Sequence, residues 1–490
     1  MILLTVIFVV LVVLFYNRRT VYLTWKYPKV RTMTYFPIVG HLGMIKYINP
    51  SVKSFMEFWS LLTSDSGRLL QVLNIKMMMV YKVEDVEVLL THENTQNKHY
   101  VYDFLKLAIG DSIMRAKGQV WKDKTKAMRP TMHTKTVSTY TEDMCKCVEI
   151  LADKWTNIDK TFDAMQDVAK CLLDMLFTTS FGVNLNCQAN QTKFDEYSES
   201  FAELFMDRSM SAWKHPDFVY NLTFSSKKLK NVIHHISETT DQIFTERKEI
   251  YSLEQELAKD EICLDDKPIR NMKFIDYMLD LHTFNDQEIK DEVNTFTFAG
   301  FDTCKAGVSF TLIALALHQD MQEKVYQEIL DVIGADRTLS YEDLSKLVYL
   351  DKFLKETMRL FPPVTIIARI ADDEFPLGAH IVPKGTQVMC NILATHRSSL
   401  YWENPLKFDP ERFSAEGLAK QRKFSYIPFL AGTRACFGTK VAMLSLKSAI
   451  VTLIRKYKFY TPYKSIEDVK LEVKVTLSAE KGILLRLEKR

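Results

Sequence analysis

The feature that most restricts this chain is a proline-free stretch with helical apolar spacing that begins at Asn285. Asn285 and Glu288 stand at capping-box spacing, and Asp286, Glu288, Asp291 and Glu292 load the first turns with acid, as the positive end of a helix prefers. The next proline is Pro362. A helix from about Asp286 to His318 would run ~50 Å at 1.5 Å per residue. A soluble helix of that length has to cross the middle of a large domain, and the rest of the chain must wrap it. The chain is big enough: 490 residues, 47% of them hydrophobic, support a sizeable core. The net charge of +3, near zero for such a length, argues against a dedicated nucleic-acid binder.

Around that helix the pattern reads as mainly α with a small β portion, in one large domain without internal repeats or a splitting linker. "LLQVLNIKMMMVYK", Leu69 to Lys82, predicts a β-hairpin, and helical spacing then holds from Val83 to about Leu360. After Pro362 come short apolar runs with Pro and Gly punctuation. "KVTLSAEKGILLRLE", Lys474 to Glu488, predicts a terminal hairpin turning near Gly482. Upstream, "MILLTVIFVVLVVLFY" is followed by Arg18 and Arg19, with no basic residue before it. That charge order reads as a membrane anchor over 1–19 with the remainder on the cytosolic side, not as a cleaved signal. Residues 20–45, with Pro28, Pro37 and Gly40, form a lead-in to the globular domain at 46–490. The sequons at Asn190 and Asn221 would then stay unglycosylated. Seven of the eight cysteines, Cys145, Cys147, Cys171, Cys187, Cys263, Cys304 and Cys390, share no framework spacing and read as reduced, mostly buried thiols.

The eighth, Cys436, lies in "FLAGTRACFG", Phe429 to Gly438, ahead of a proline-free apolar stretch, Phe437 to Leu453, that reads as a helix. Within the long helix, "FAGFDTCKAG" places Ala299 and Gly300 beside Asp302 and Thr303. Two readings are open there. One is close helix packing at the glycine with a threonine bonded back to its own helix. The other is a notch made by missing side chains with a proton-relay pair beside it. "KETMR" puts Glu356 and Arg359 on one face of a helix with apolar flanks, and "FDPERF" adds Arg412. A Glu–Arg–Arg cluster would tie that helix to the loop leading to Cys436.

With A-G-x-D-T, E-x-x-R, P-E-R-F and F-x-x-G-x-R-x-C-x-G present in order, the chain resembles a membrane-anchored cytochrome P450 over essentially its whole length. "ETMRLFPPV" and "ATHRSSLYWENPLKFDPERF" further resemble the animal clan of fatty-acid ω-hydroxylases and insect microsomal enzymes. The resemblance implies the cytochrome P450 fold, with a haem between the long helix and the cysteine loop. Cys436 would be the thiolate ligand of the haem iron, shielded by Phe429 and held in a turn by Gly432 and Gly438, with the helix start facing the sulfur. Arg434, Arg369 and Trp121 would contact the cofactor, Arg434 through a propionate. Ala299 and Gly300 would leave room for dioxygen, and Thr303 and Asp302 would deliver protons.

The implied reaction is NADPH-dependent monooxygenation of a lipophile: a fatty acid, a hormone or a xenobiotic such as an insecticide. Electrons would come from NADPH–cytochrome P450 reductase, with cytochrome b5 as a second donor, at the endoplasmic reticulum membrane. No G-x-G-x-x-G lies in the right context, so the nicotinamide belongs on the partner. Lys420, Arg422, Lys423, Lys440 and Lys447 form the basic face expected to dock it, or an ordinary solvated face. The substrate pocket would use Phe104, Ile113, Phe205, Phe301, Val364, Ile366 and Ile367. One departure concerns the cofactor: W-x-x-x-R reads Trp121 to Thr125 here, leaving Lys124 or Lys126 to replace the arginine. Another is Ala299, which stands where some relatives have a haem-bonding glutamate, implying a non-covalent b-type haem. Two other functions use the same framework: a haem-thiolate isomerase or dehydratase of oxidised lipids, and a haem-bound lipophile carrier with little turnover.

Overall fold

A computed structural model describes residues 69–72, 75–190, 192–260, 272–378 and 380–490. The expected anchor (1–19) and lead-in (20–45) lie outside these residues, as does Cys263. The main helices are α1 (Val83–Thr91), α2 (Gly118–Met128), α3 (Thr141–Lys154), α4 (Met165–Leu176), α5 (Phe194–Met210), α6 (Phe224–Asp260), α7 (Asp286–Leu317), α8 (Gln319–Val332), α9 (Val348–Leu360) and α10 (Thr439–Lys456). The strands are β1 (Leu69–Val72), β2 (Ile75–Val80), β3 (Phe162–Asp163), β4 (Ile366–Ile370), β5 (Phe375–Leu377), β6 (His380–Val382), β7 (Gln387–Asn391), β8 (Tyr457–Tyr460), β9 (Leu471–Val473), β10 (Leu477–Ala479) and β11 (Leu484–Lys489).

Helix α7 is the axis the sequence demanded. Its capping box forms on both sides: the Glu288 N–H donates to Asn285 Oδ1 at 3.0 Å, and the Asn285 N–H donates to Glu288 Oε2 at 3.0 Å. Every residue from Ala306 to Ala316 is buried, which marks a helix covered all round. It is long and apolar enough to cross a bilayer, but α4, α9 and α10 cover that surface. Phe310 stacks on Phe361, just past α9, with ring centroids 4.7 Å apart.

The β portion is split into small sheets. Strands β1 and β2 form the expected hairpin, with Leu69 opposite Met78; β2 then runs parallel to β7, and β7 antiparallel to β4. This sheet and α1 share a second core, in which Met78, Val86 and Val388 are fully buried.

The expected terminal hairpin does not form. The chain does turn at Gly482, whose φ is +77° and where a side chain would collide with Asp163. The two arms, however, pair elsewhere. Strand β10 pairs with β9, while β11 lies between β3 and β8.

Candidate functional site

The middle of α7 and the cysteine loop face a common cavity of about 1810 Å³, walled also by β4, part of α5 and the β9–β10 turn. The loop is held by its own backbone. The Cys436 N–H donates to the Phe429 carbonyl at 2.8 Å, and the Ala435 N–H to the Gly432 carbonyl at 3.2 Å. Gly432 has φ +73°, and a Cβ there would strike the Leu90 carbonyl at the end of α1. Gly438 differs from expectation: with φ −90° it serves as the N-cap of α10, and its backbone does not require glycine. Its N–H nevertheless reaches the Cys436 sulfur. Helix α10 opens at Thr439, so its positive end lies beside that sulfur.

Cys436 is the one exposed cysteine among those described, and the surface it exposes is the cavity wall. Burial pushes its thiol up, while the Gly438 N–H, the Thr439 hydroxyl and the Lys98 ammonium pull it the other way. Three cations line the same part of the cavity: Lys98, Arg369 and Arg434. Arg434 stacks on Trp121 at 3.9 Å and donates to the carbonyls of Gln96 (3.1 Å) and Ala116 (2.9 Å), yet its Nη1 is buried without a partner. Arg369 is buried and, among the described residues, its side chain donates to the Ala368 carbonyl alone, at 3.3 Å. Burial lowers the Lys98 ammonium to about 7, assisted by repulsion from Arg369 and Arg434. Among the described residues, no carboxylate forms an ion pair with any of the three. Buried cations require anionic partners. The thiol, the three cations and the apolar walls together fit a haem: one axial sulfur, positive charge for two propionates, and room for the ring.

Lys98 is a cation that no sequence motif announces, and only the isolated bridge between Lys98 and Arg369 brings it to the site. The expected substitutes for the missing arginine are not there. Lys124 is buried and pairs with Glu292 of α7 at 3.1 Å, since a buried ammonium takes the nearest carboxylate. Lys126 is exposed and is not part of the cavity wall. Thr125 lines the wall with its hydroxyl unpartnered.

On α7, Ala299, Gly300, Asp302 and Thr303 all reach the cavity. Thr303 Oγ1 donates to the Ala299 carbonyl at 2.7 Å, so back-bonding and a cavity position coexist. Asp302 is engaged at both oxygens: Lys305 Nζ lies 2.7 Å from Oδ1, and Thr476 Oγ1 donates to Oδ2 at 2.6 Å. The remaining cluster lies away from the cavity. Glu356 and Arg359 are fully buried and bonded twice, at 2.7 and 2.8 Å. Arg359 also donates to the carbonyls of His396, Pro405 and Lys407, and Glu356 accepts the Asp409 N–H at 2.9 Å. Arg412 comes within 3.5 Å of Glu356. This network joins α9 to the chain that leads into the cysteine loop.

Of the expected pocket residues, Ile113, Phe205, Val364, Ile366 and Ile367 line the cavity. Phe104 and Phe301 do not. Phe104 packs against Tyr100 and His215, and Phe301 is buried against Phe194 on the opposite side of α7 from Ala299. The β9–β10 turn, unforeseen, supplies wall residues from Val473 to Thr476. The basic face loses Lys447, which is buried and pairs with Asp351 at 3.0 Å. Lys420, Arg422, Lys423 and Lys440 are exposed, with Arg422 beside Glu84 and Lys423 beside Glu87.

The sequence profile of the family described as Cytochrome P450 matches residues 31–486. Cytochrome P450 4V2 of Homo sapiens is 29% identical over 476 residues, covering 93% of this chain and 88% of that protein. Cytochrome P450 4d2 of Drosophila melanogaster is 30% identical over 444 residues, covering 86% of this chain and 87% of its own length. Cytochrome P450 4g1 of the same fly is 29% identical, with 85% and 81% covered. A solved haem domain, that of cytochrome P450DA, superposes with a TM-score of 0.78 over 94% of this chain and 97% of its own, at 20% identity, and so speaks to the fold alone.

Proposed function

The chain belongs to the cytochrome P450 family of haem-thiolate monooxygenases, and we propose that it draws electrons from NADPH through a separate reductase to hydroxylate a lipophilic substrate. The overall reaction is RH + O₂ + NADPH + H⁺ → ROH + H₂O + NADP⁺. The observation that carries this reading is the meeting, in one apolar cavity, of the Cys436 thiol, three cations without carboxylate partners, and the Thr303 hydroxyl.

A bound haem supplies dioxygen activation and delivery of one oxygen atom to the substrate. The chain's own residues set the conditions for that chemistry. Cys436 would supply the thiolate that holds the haem iron. The Gly438 N–H, the Thr439 hydroxyl and the start of α10 favour its deprotonated form. Lys98, Arg369 and Arg434 would neutralise the two propionates, with the Arg434 guanidinium held over the Trp121 ring, its Cζ 3.9 Å from the ring centroid. The absence of side-chain bulk at Ala299 and Gly300 leaves space on the facing wall, and with no carboxylate at 299 the haem is held non-covalently. Thr303 Oγ1, resting on the Ala299 carbonyl, can turn that hydroxyl toward the cavity and relay a proton that the Lys305 ammonium supplies through the Asp302 carboxylate. Glu356, Arg359 and Arg412 hold the frame that presents the cysteine loop.

Electron supply comes from NADPH–cytochrome P450 reductase, with cytochrome b5 as a second donor, docking over Lys420, Arg422, Lys423 and Lys440. Residues 1–19 anchor the protein in the endoplasmic reticulum membrane, and 46–490 form the catalytic domain on its cytosolic face. The test is reductase-driven turnover under ¹⁸O₂ with a panel of lipophiles. A monooxygenase yields product carrying one ¹⁸O atom per NADPH consumed. An isomerase or dehydratase converts a lipid hydroperoxide without NADPH, and a carrier yields no product from any of them; either result refutes the reading.

A further inference from the structure

The wall of the cavity away from Cys436 is built from α5, α7 and the β9–β10 turn, and among the described residues the basic side chains on it and next to it are engaged or neutral. Lys474, on the turn, lies 2.9 Å from Glu199, 3.6 Å from Glu203 and 4.0 Å from Glu472. Burial works against its ammonium, but these carboxylates push it above the ordinary lysine range. Lys305 is bound to Asp302 and Lys214 to Asp207. His215 uses both ring nitrogens, on the Tyr100 hydroxyl at 2.7 Å and the Ser209 carbonyl at 3.0 Å. Burial pushes both His99 and His215 down, so neither carries charge near neutrality. The other basic wall residues belong to the cysteine side. Lys98, Arg369 and Arg434 surround Cys436's approach, while Arg129, His133, Lys135 and Lys440 gather where the chain after α2 meets the start of α10.

Glu203, Glu472 and Lys474 line this wall with Glu199 beside them, so three carboxylates face one ammonium, a net charge of −2, and the four side chains are a quarter to a little over half exposed. The interior beyond them is largely apolar, with Phe201, Phe205, Phe298, Val364 and Ile366 on its walls. A carboxylate passing this exposed edge loses water, meets like charge and, among the described residues of this wall, finds no free cation. A neutral head group avoids the repulsion, and a cation is attracted.

We propose that the Glu199–Glu203–Glu472–Lys474 cluster selects substrates by charge, admitting uncharged and cationic lipophiles and disfavouring carboxylates. The inference rests on the monooxygenase reading and narrows its substrate class: of the lipophiles that reading leaves open, free fatty acids are the poorest fit.

The test uses three ligands with one apolar chain and three head charges: dodecanoate, dodecanol and dodecyltrimethylammonium, whose quaternary nitrogen cannot ligate iron. Each is titrated below its micellar concentration into the full-length, haem-loaded protein in phosphatidylcholine nanodiscs, reading the Soret shift. Dodecanoate should bind at least about tenfold more weakly than dodecanol, and the quaternary cation at least as tightly as dodecanol. The double variant Glu199→Gln/Glu203→Gln leaves Lys474 with Glu472 alone and takes the cluster from −2 to neutral, so dodecanoate should tighten about tenfold while the cation weakens. Adding Lys474→Met should cancel that gain. Dodecanoate binding as tightly as dodecanol in the unaltered protein, or an unchanged ratio in the double variant, overturns the proposal. The reduced, carbon monoxide-treated spectrum of each preparation separates the two levels: with a 450 nm band present, a failed ratio counts against the charge rule and leaves the family chemistry standing.

Discussion

Replacing Lys98 by methionine should make haem retention improve as pH rises from about 7 to 9, where the unaltered protein holds haem with little pH dependence. The protein's own groups hold Lys98 at about 7, against 10.5 for an ordinary lysine, because burial removes its hydration and Arg369 and Arg434 repel it; the Cys436 sulfur acts in the opposite sense. The folded value lies below the unfolded one. The unfolded chain therefore binds more protons between the two, and the cofactor-depleted fold gains stability as pH rises through that window. Haem binding has the opposite sign at Lys98. Its carboxylates would favour the ammonium, so binding would draw up to one proton onto Lys98, while ligation by Cys436, whose thiol burial pushes up, would release one; in the unaltered protein the two offset each other, and without Lys98 only the release remains. One proton taken up corresponds to about 1.4 kcal/mol, or tenfold in affinity, per pH unit. Transfer of haem to excess apomyoglobin, followed at several pH values, gives the dissociation rate. The unaltered protein should release haem at similar rates at pH 7 and pH 8.5, because the two protons offset each other. The variant should release it faster at pH 7, and at least about tenfold more slowly at pH 8.5 than at pH 7. The same slope in both proteins would refute the placement of Lys98 against the cofactor's carboxylates.

Two further predictions concern the frame and the proton path. Arg359→Leu strands Glu356 in a fully buried site, and urea unfolding should show a loss of about 3–5 kcal/mol; a change under 1 kcal/mol would mean the network is not stabilising. Thr303→Ala should lower product per NADPH and raise hydrogen peroxide in a reductase-coupled assay, because electron delivery continues while proton delivery fails. Equal product per NADPH in the two proteins would remove Thr303 from the proton path.

The parts legible in the sequence are those set by neighbours along the chain. The α7 cap is a reciprocal contact three residues apart, and Asn285 and Glu288 announce it. The cysteine loop is similar: Gly432 and the start of α10 both lie within a few residues of Cys436. What stays hidden depends on distant partners or on the direction a side chain takes. Gly482 marks a real turn, but β11 finds its partners in β3 and β8, which the local pattern cannot reveal. Lys98 gains its meaning from Arg369, far away in the chain. Lys124 stands one residue from Thr125, yet 100° of helical rotation turns it to Glu292. Phe301 is close to Ala299 in the chain, although two positions along a helix face different sides. Lys447 sits in a run of buried α10 residues, and its apolar neighbours Leu446 and Ala449 are the local sign that it is buried with them.

The central claim is that Cys436 supplies a thiolate to a haem in the cavity beneath α7, and one spectrum tests it most directly. Membranes carrying the full-length protein, reduced with dithionite and treated with carbon monoxide, should show a Soret band near 450 nm, the mark of thiolate ligation in this family. Cys436→Ala, prepared in the same way, should lose that band. A 450 nm band that persists in Cys436→Ala, or that never forms in the haem-loaded unaltered protein, would contradict the account.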